Sequence, residues 1–245
     1  MAKSIFKTVD QYGPIEVIDD GAKRYLKFGN DHEQSLQIKA TPHVPQHEYG
    51  RAVMLSLLFC EPKRICVLGL GGGTQVMGFH SALPHAHIDA VELRESVIKV
   101  AHHYFELPKT PHIHLIHEDA FQHMSHTNQQ YDLLVADLYL QDGIDERQLQ
   151  SEFLQNCIQS LSDDGWLILN YWLDHELSDE LTQLLMEHFE VVYACNCGGG
   201  NIIFYAGKVY PPADYLEKDR IKPLAKRLGF SLNYYLKRLH VFTAG

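Results

Sequence analysis

The chain has 245 residues, 45% of them hydrophobic and 21% charged, with a formal net charge of −10. That length and apolar content suffice for a packed core and exclude wholesale disorder, while the negative charge disfavours general binding to nucleic acid or an anionic membrane, whose phosphates repel such a surface. No apolar stretch approaches the roughly 20 residues of a membrane span.

Taken in chain order, Met1–Asp10 holds no apolar run, so no signal peptide is expected. Residues 1–45 alternate short apolar runs with turn signals: Tyr12-Gly13-Pro14, then Ile15, Val17 and Ile18, then Asp20-Gly21, then Tyr25, Leu26 and Phe28. This pattern predicts a small β layer of hairpins, with Asp20-Gly21 as a tight turn. A helix over Glu48–Phe59 follows, carrying Val53, Met54, Leu57 and Leu58 at helical spacing.

From residue 64 the pattern changes. Continuous apolar strands are predicted at Ile65–Leu68, Ile88–Val91, Ile113–Ile116, Leu133–Ala136 and Trp166–Leu169, separated by helices near Thr74–Ser81, Glu95–Phe105 and Gln148–Leu161. Such βαβ units imply a parallel sheet covered on both faces, an α/β Rossmann-like domain over residues 46–208. A helix over Asp179–Phe189 precedes strands Val191–Ala194 and Ile202–Tyr205, read as an antiparallel hairpin closing the sheet edge. The tail, 209–245, is locally basic and reads as helical with a break at Pro223.

The first parallel strand runs into Gly69-Leu70-Gly71-Gly72-Gly73-Thr74 and a helix. Glycines there allow a sharp turn and close backbone approach to a ligand, with the helix N-terminus behind. Glu92, 23 residues after Gly69, ends the second strand, where an acid can accept both hydroxyls of an adenosine ribose. Asp119, with Ala120, follows the third strand, where an acid can accept an adenine amino group. Asp137 follows the fourth, at the carboxyl edge where open α/β sheets bind ligands.

These segments resemble the spermidine synthases, or polyamine aminopropyltransferases, over roughly residues 10–207. The resemblance is carried by Gln34-Ser35, His47-Glu48, the glycine loop, VELRESVIKVAHHYF from Val91 to Phe105, HEDAF from His117 to Phe121, YDLLVADLY from Tyr131 to Tyr139, and GGGNIIFYA from Gly198 to Ala206. It implies a methyltransferase-type Rossmann-like fold with S-adenosylmethionine or its decarboxylated form as co-substrate and no metal. By the same resemblance Gln34, Gly69, Gly71, Gly72, Gly73, Glu92, Asp119 and Ala120 bind the nucleoside, Gln34 near its sulfur. Asp137 deprotonates the attacking amine, with Tyr139 beside it as a second catalytic candidate. A cytoplasmic homodimer acting on a small molecule is expected.

The chain departs from that family at three places. Gly72, or Gly73 if the loop is slid by one, stands where its loop carries an aspartate, Leu140 where a second acid binds the far amine of putrescine, and Gln46 where a tyrosine precedes His-Glu. Loss of two carboxylates from a diamine pocket leaves ammonium groups unpaired, so an acceptor other than simple putrescine is expected. Asp142 could partly compensate or begin a loop. The alternatives are a small-molecule methyltransferase, which Gly72 suits, and a nucleoside-binding module without turnover.

The other signals are weaker. Sixteen histidines, among them His112, His114 and His117 around one strand, match no metal-site spacing. The odd set of five cysteines (Cys60, Cys66, Cys157, Cys195, Cys197) implies no disulfide framework. No Gly-x-Ser-x-Gly elbow marks a hydrolase. Asn170-Tyr171-Trp172 ends the fifth strand, and its two aromatics read equally as acceptor-pocket lining or as core.

Overall fold

A computed structural model describes residues 2–29, 33–140, 143–172 and 177–243. The chain opens with an antiparallel meander, β1 (Lys3–Asp10), β2 (Gly13–Asp20), β3 (Lys23–Lys27) and β4 (Glu33–Ile38). Asp20 pairs with Lys23, so Gly21 and Ala22 form a two-residue turn, with Gly21 at φ +60°. One face of this sheet is apolar: Ile15, Val17, Leu26 and Phe28 are buried against Val97, Val100 and Phe105. The β layer is therefore a cap on the helix that carries those last residues.

The helix expected over Glu48–Phe59 divides into α1 (Glu48–Val53) and α2 (Ser56–Phe59). Residues 52–59 are all buried, so no solvent face enforces a regular repeat. The backbone tightens instead, with Met54 N–H donating to Arg51 O and Leu55 N–H to Ala52 O.

The parallel core follows as predicted: β5 (Arg64–Leu68), α3 (Thr74–Ala82), β6 (His87–Glu92), α4 (Glu95–Tyr104) and β7 (Ile113–His117). Next comes α5 (Ala120–His126), a helix absent from the expectation because FQHMSH carries no helical apolar stripe. The Asp119 carboxylate caps it by accepting from Phe121 N. Then come β8 (Tyr131–Ala136), a short hairpin of β9 (Tyr139–Leu140) and β10 (Gly143–Ile144), and α6 (Ser151–Gln159). Strand β11 runs from Leu161 to Trp172, well beyond Trp166–Leu169, and is followed by α7 (Asp179–His188), β12 (Val191–Gly198) and β13 (Asn201–Gly207).

The large sheet has the order β14-β12-β13-β11-β8-β5-β6-β7. The strands from β11 to β7 are parallel, and β13, β12 and β14 continue the sheet with antiparallel pairings. The expected hairpin of β12 and β13 is present, but it does not close the edge. The tail does, through β14 (Leu239–Val241), reached by way of α8 (Lys218–Leu228) and α9 (Asn233–Leu236). Pro223 does not break the tail; it sits inside α8. The interior proline removes one helical hydrogen bond, and burial of Leu224 and Leu228 in the main core offsets that loss. Among the described residues no helix is long and apolar enough to cross a membrane.

Candidate active site

A cavity of about 310 Å³ opens at the carboxyl ends of β5, β6 and β8, beneath the β layer. Its floor is the glycine turn. Gly69 takes φ +95°, and a Cβ there would stand 2.2 Å from the Asp137 carbonyl oxygen, so the tips of β5 and β8 approach closely only because residue 69 is glycine. Gly71, at φ +53°, has a similar constraint from the Ser35 hydroxyl at 2.7 Å. Ser35 Oγ accepts from Gly72 N at 2.8 Å, which fastens β4 onto the turn and brings Gln34 to the cavity wall. Gly72 and Gly73 do not face the cavity: they pack against Phe105 and Leu107.

Glu92, buried at the tip of β6, accepts from Leu70 N at 3.1 Å and Arg94 N at 2.9 Å. Burial raises its pKa, opposed by those amides. A carboxylate has about four acceptor positions, so lone pairs remain for ribose hydroxyls. Arg94 beside it is the staple between the two layers. Its guanidinium donates to Asp10 at 2.8 and 3.1 Å and to Gly13 O at 2.7 Å, and lies over the Phe28 ring at 4.4 Å.

Asp119 and Ala120 border the far end of the cavity. Asp119 Oδ2 accepts from Arg147 Nη1 at 3.2 Å, Arg147 is itself held by Asp145 at 2.7 Å, and its guanidinium covers the Phe121 ring at 4.1 Å. Asp145 and Arg147 went unnoticed in the sequence; the only signal for them was the aspartate that caps a helical turn at residues 146–149.

Asp137 lies past the tip of β8 and lines the same cavity. Its Oδ1 accepts from Asn170 Nδ2 at 2.7 Å and its Oδ2 from Gln75 Nε2 at 2.6 Å. Burial raises its pKa to about 6, and the two amides hold it from rising further. Asn170 Oδ1 accepts from Asn201 Nδ2 at 2.9 Å, and Asn201 Nδ2 also donates to the Tyr139 hydroxyl at 2.8 Å. One polar chain thus joins Tyr139, Asn201, Asn170 and Asp137. Asn170, Gln75 and Asn201 were not among the expected site residues.

Around Asp137 the wall is aromatic. The Tyr139 ring lies 6.3 Å from Tyr49 and 6.5 Å from Trp172, and His47 stacks on Tyr49 at 5.5 Å. The open question over Tyr171-Trp172 resolves residue by residue: Trp172 lines the cavity, and Tyr171 is buried against Phe204. Gln46 lines the cavity too, whereas Glu48 turns away to accept from the Tyr235 hydroxyl at 2.6 Å. Asp142 lies outside the described residues.

All five cysteines are free, and burial pushes Cys195 up to about 11 and Cys197 to about 12, as inert core thiols. His114 pairs with Asp89 at 3.4 Å and His117 with Leu93 O at 3.2 Å, so these two turn to separate partners.

The sheet order, the glycine turn and the acids at successive strand tips define a Rossmann-like fold of the methyltransferase type. The spermine/spermidine synthase domain matches residues 42–198, and the chain belongs to that family. A polyamine aminopropyltransferase of Neisseria meningitidis serogroup A is 27% identical over 236 residues, covering 94% of this chain and 88% of the relative. Two solved structures share the fold. A spermidine synthase in complex with the transition-state analogue AdoDATO has TM-score 0.75 at 13% identity, over 96% of this chain and 84% of its own. Human methyltransferase-like protein 13 in complex with SAH has TM-score 0.57 at 24% identity, over 74% and 87%.

Proposed function

We propose that the protein is a transferase that binds S-adenosylmethionine or its decarboxylated form and alkylates an amine, with Asp137 as the general base. The observation that carries this reading is a buried carboxylate fixed by two amide donors in a cavity that Glu92 and Asp119 also line, with burial raising its pKa to about 6. A protonated amine has no lone pair. Asp137 takes its proton, the freed nitrogen attacks the carbon bound to the sulfonium, and the C–S electron pair returns to sulfur as a neutral thioether. A carboxylate near the sulfonium also favours binding of that cation.

Aminopropyl transfer is the finer reading, supported by family membership and by the polyamine aminopropyltransferases among the relatives. The acceptor is an amine other than simple putrescine, since Leu140 replaces the family's second acid. Methyl transfer is the second reading. Gly72 stands where the family has a loop aspartate, so the acid that family uses toward the transferred amino group is absent from this chain.

Turnover of Asp137→Asn with either donor and a panel of amines tests the assignment. Activity falls below detection while affinity for methylthioadenosine, which carries no sulfonium, stays near that of the parent; unchanged turnover would remove Asp137 from the mechanism.

A further inference from the structure

Away from the nucleoside cavity, three ligand-bearing side chains meet beside the last turn of α5. Glu118 follows β7, and His123 and His126 are three residues apart on α5, a spacing that places both on one helix face. His123 Nδ1 lies 3.0 Å from Glu118 Oε2, and His126 Nε2 lies 2.8 Å from Glu118 Oε1. One ligand atom from each residue falls within 4.8 Å of the other two. Zinc–nitrogen and zinc–oxygen bonds of about 2.0–2.2 Å in a tetrahedral site place ligand atoms about 3.4 Å apart, a spacing small side-chain rotations reach here.

The three residues are graded in depth: His123 is 8% exposed, Glu118 26% and His126 60%. One imidazole is anchored in the fold, and the other faces water, which can complete the coordination. His123 Nε2 is buried without a partner, so Nδ1 is the ring nitrogen that faces the other two residues. Carbonyls at the C-terminal end of a helix favour a cation. His123 and His126 line a cleft whose wall also holds Arg64, Asp89 and His114, the last two paired with each other at 3.4 Å.

We propose that Glu118, His123 and His126 form a binding site for a divalent cation of the zinc class, separate from the nucleoside cavity. Two imidazoles and a carboxylate with an open position are a donor set that zinc accepts. The ion cross-links the end of β7 to the last turn of α5, the helix whose N-cap, Asp119, borders the cavity. The plainer arrangement is a carboxylate that bridges two imidazoles through hydrogen bonds alone.

The full chain, stripped with a chelator, is titrated with Zn²⁺ against a chromophoric indicator, and with Co²⁺ for the visible bands of a four-coordinate ion. One equivalent per chain binds at neutral pH and is removed by excess chelator. His126→Ala and Glu118→Gln each weaken that equivalent by at least the roughly 10- to 100-fold that even an outer partner is worth at metal sites. His85→Ala, in a different group of histidines near His112, leaves it unchanged. Absence of a stoichiometric equivalent, or one that survives both substitutions, would overturn the proposal and leave the hydrogen-bonded bridge. The titration needs no nucleoside, so its outcome is independent of the transferase reading.

Discussion

At the carboxyl of Asp137, the base of the proposed reaction, burial and hydrogen bonding oppose each other. Burial favours the neutral acid, and the amides of Asn170 and Gln75 favour the anion. The balance near 6 predicts an acid limb in kcat/KM, activity rising with pH as Asp137 loses its proton. Removing one amide by Asn170→Ala takes away a charge-assisted hydrogen bond, worth about 1.5–3 kcal/mol, and moves that limb about 1–2 units higher. A pH–rate profile checks this; an unmoved limb would show that Asn170 does not tune the base. The same carboxyl weakens the fold. Its folded pKa lies above the ordinary value of 3.8, so the stability it costs is absent at low pH and grows as pH rises from about 4 to about 6. Asp137→Asn is therefore more stable than the parent at pH 8, by up to about 3 kcal/mol in denaturant unfolding. Gln75 Oε1 is buried without a partner, so a flipped Gln75 amide can accept from the new Asn side chain.

At this scale the acids were legible and their partners were not. Glu92 and Asp137 each directly follow apolar residues at a strand end, and Asp119 follows the third strand by way of His117 and Glu118; the sequence places all three by strand order. Asn170 and Gln75 reach Asp137 from β11 and α3, elements distant in sequence, and a neutral amide leaves no local pattern. Arg147 was hidden for the same reason, since its partner Asp119 is 28 residues away.

The elements that define the site are the β layer and the parallel strands, joined by Arg94. Its partners Asp10 and Gly13 lie in the β layer, its backbone follows β6, and its side chain is 7% exposed. Arg94→Ala strands the Asp10 carboxylate and frees the layer that carries Gln34 and Ser35. Loss of these charge-assisted hydrogen bonds costs about 1.5–3 kcal/mol, so the unfolding midpoint drops and nucleoside binding weakens with it. Proteolysis confined to residues 1–45 would show the layer detaching first; an unaltered midpoint would refute the staple. The parallel strands were legible because a strand buried on both faces is a continuous apolar run. Helix α5 was not, since its FQHMSH segment has no periodic stripe and is held by its cap. Strand β14 was not either: three residues gain strand character only by pairing with β12.

Over the whole molecule, two apolar clusters are packed around the large sheet, and the tail contributes Leu224, Leu228, Leu232 and Tyr235 to one of them. The tail is thus bound to the core that supports the site, through contacts that its basic, polar sequence does not advertise. The homodimer implied by the family resemblance predicts sedimentation at twice the 28.0 kDa chain mass; a single species at 28.0 kDa would contradict it.

The central claim is that the cavity takes an adenosyl sulfonium donor. Parallel calorimetric titration of the chain with S-adenosylmethionine, decarboxylated S-adenosylmethionine and methylthioadenosine tests it most directly. Saturable binding, strongest for the decarboxylated donor and weakened by about 1–3 kcal/mol in Glu92→Ala, is the predicted result; absence of binding by all three ligands would contradict the account.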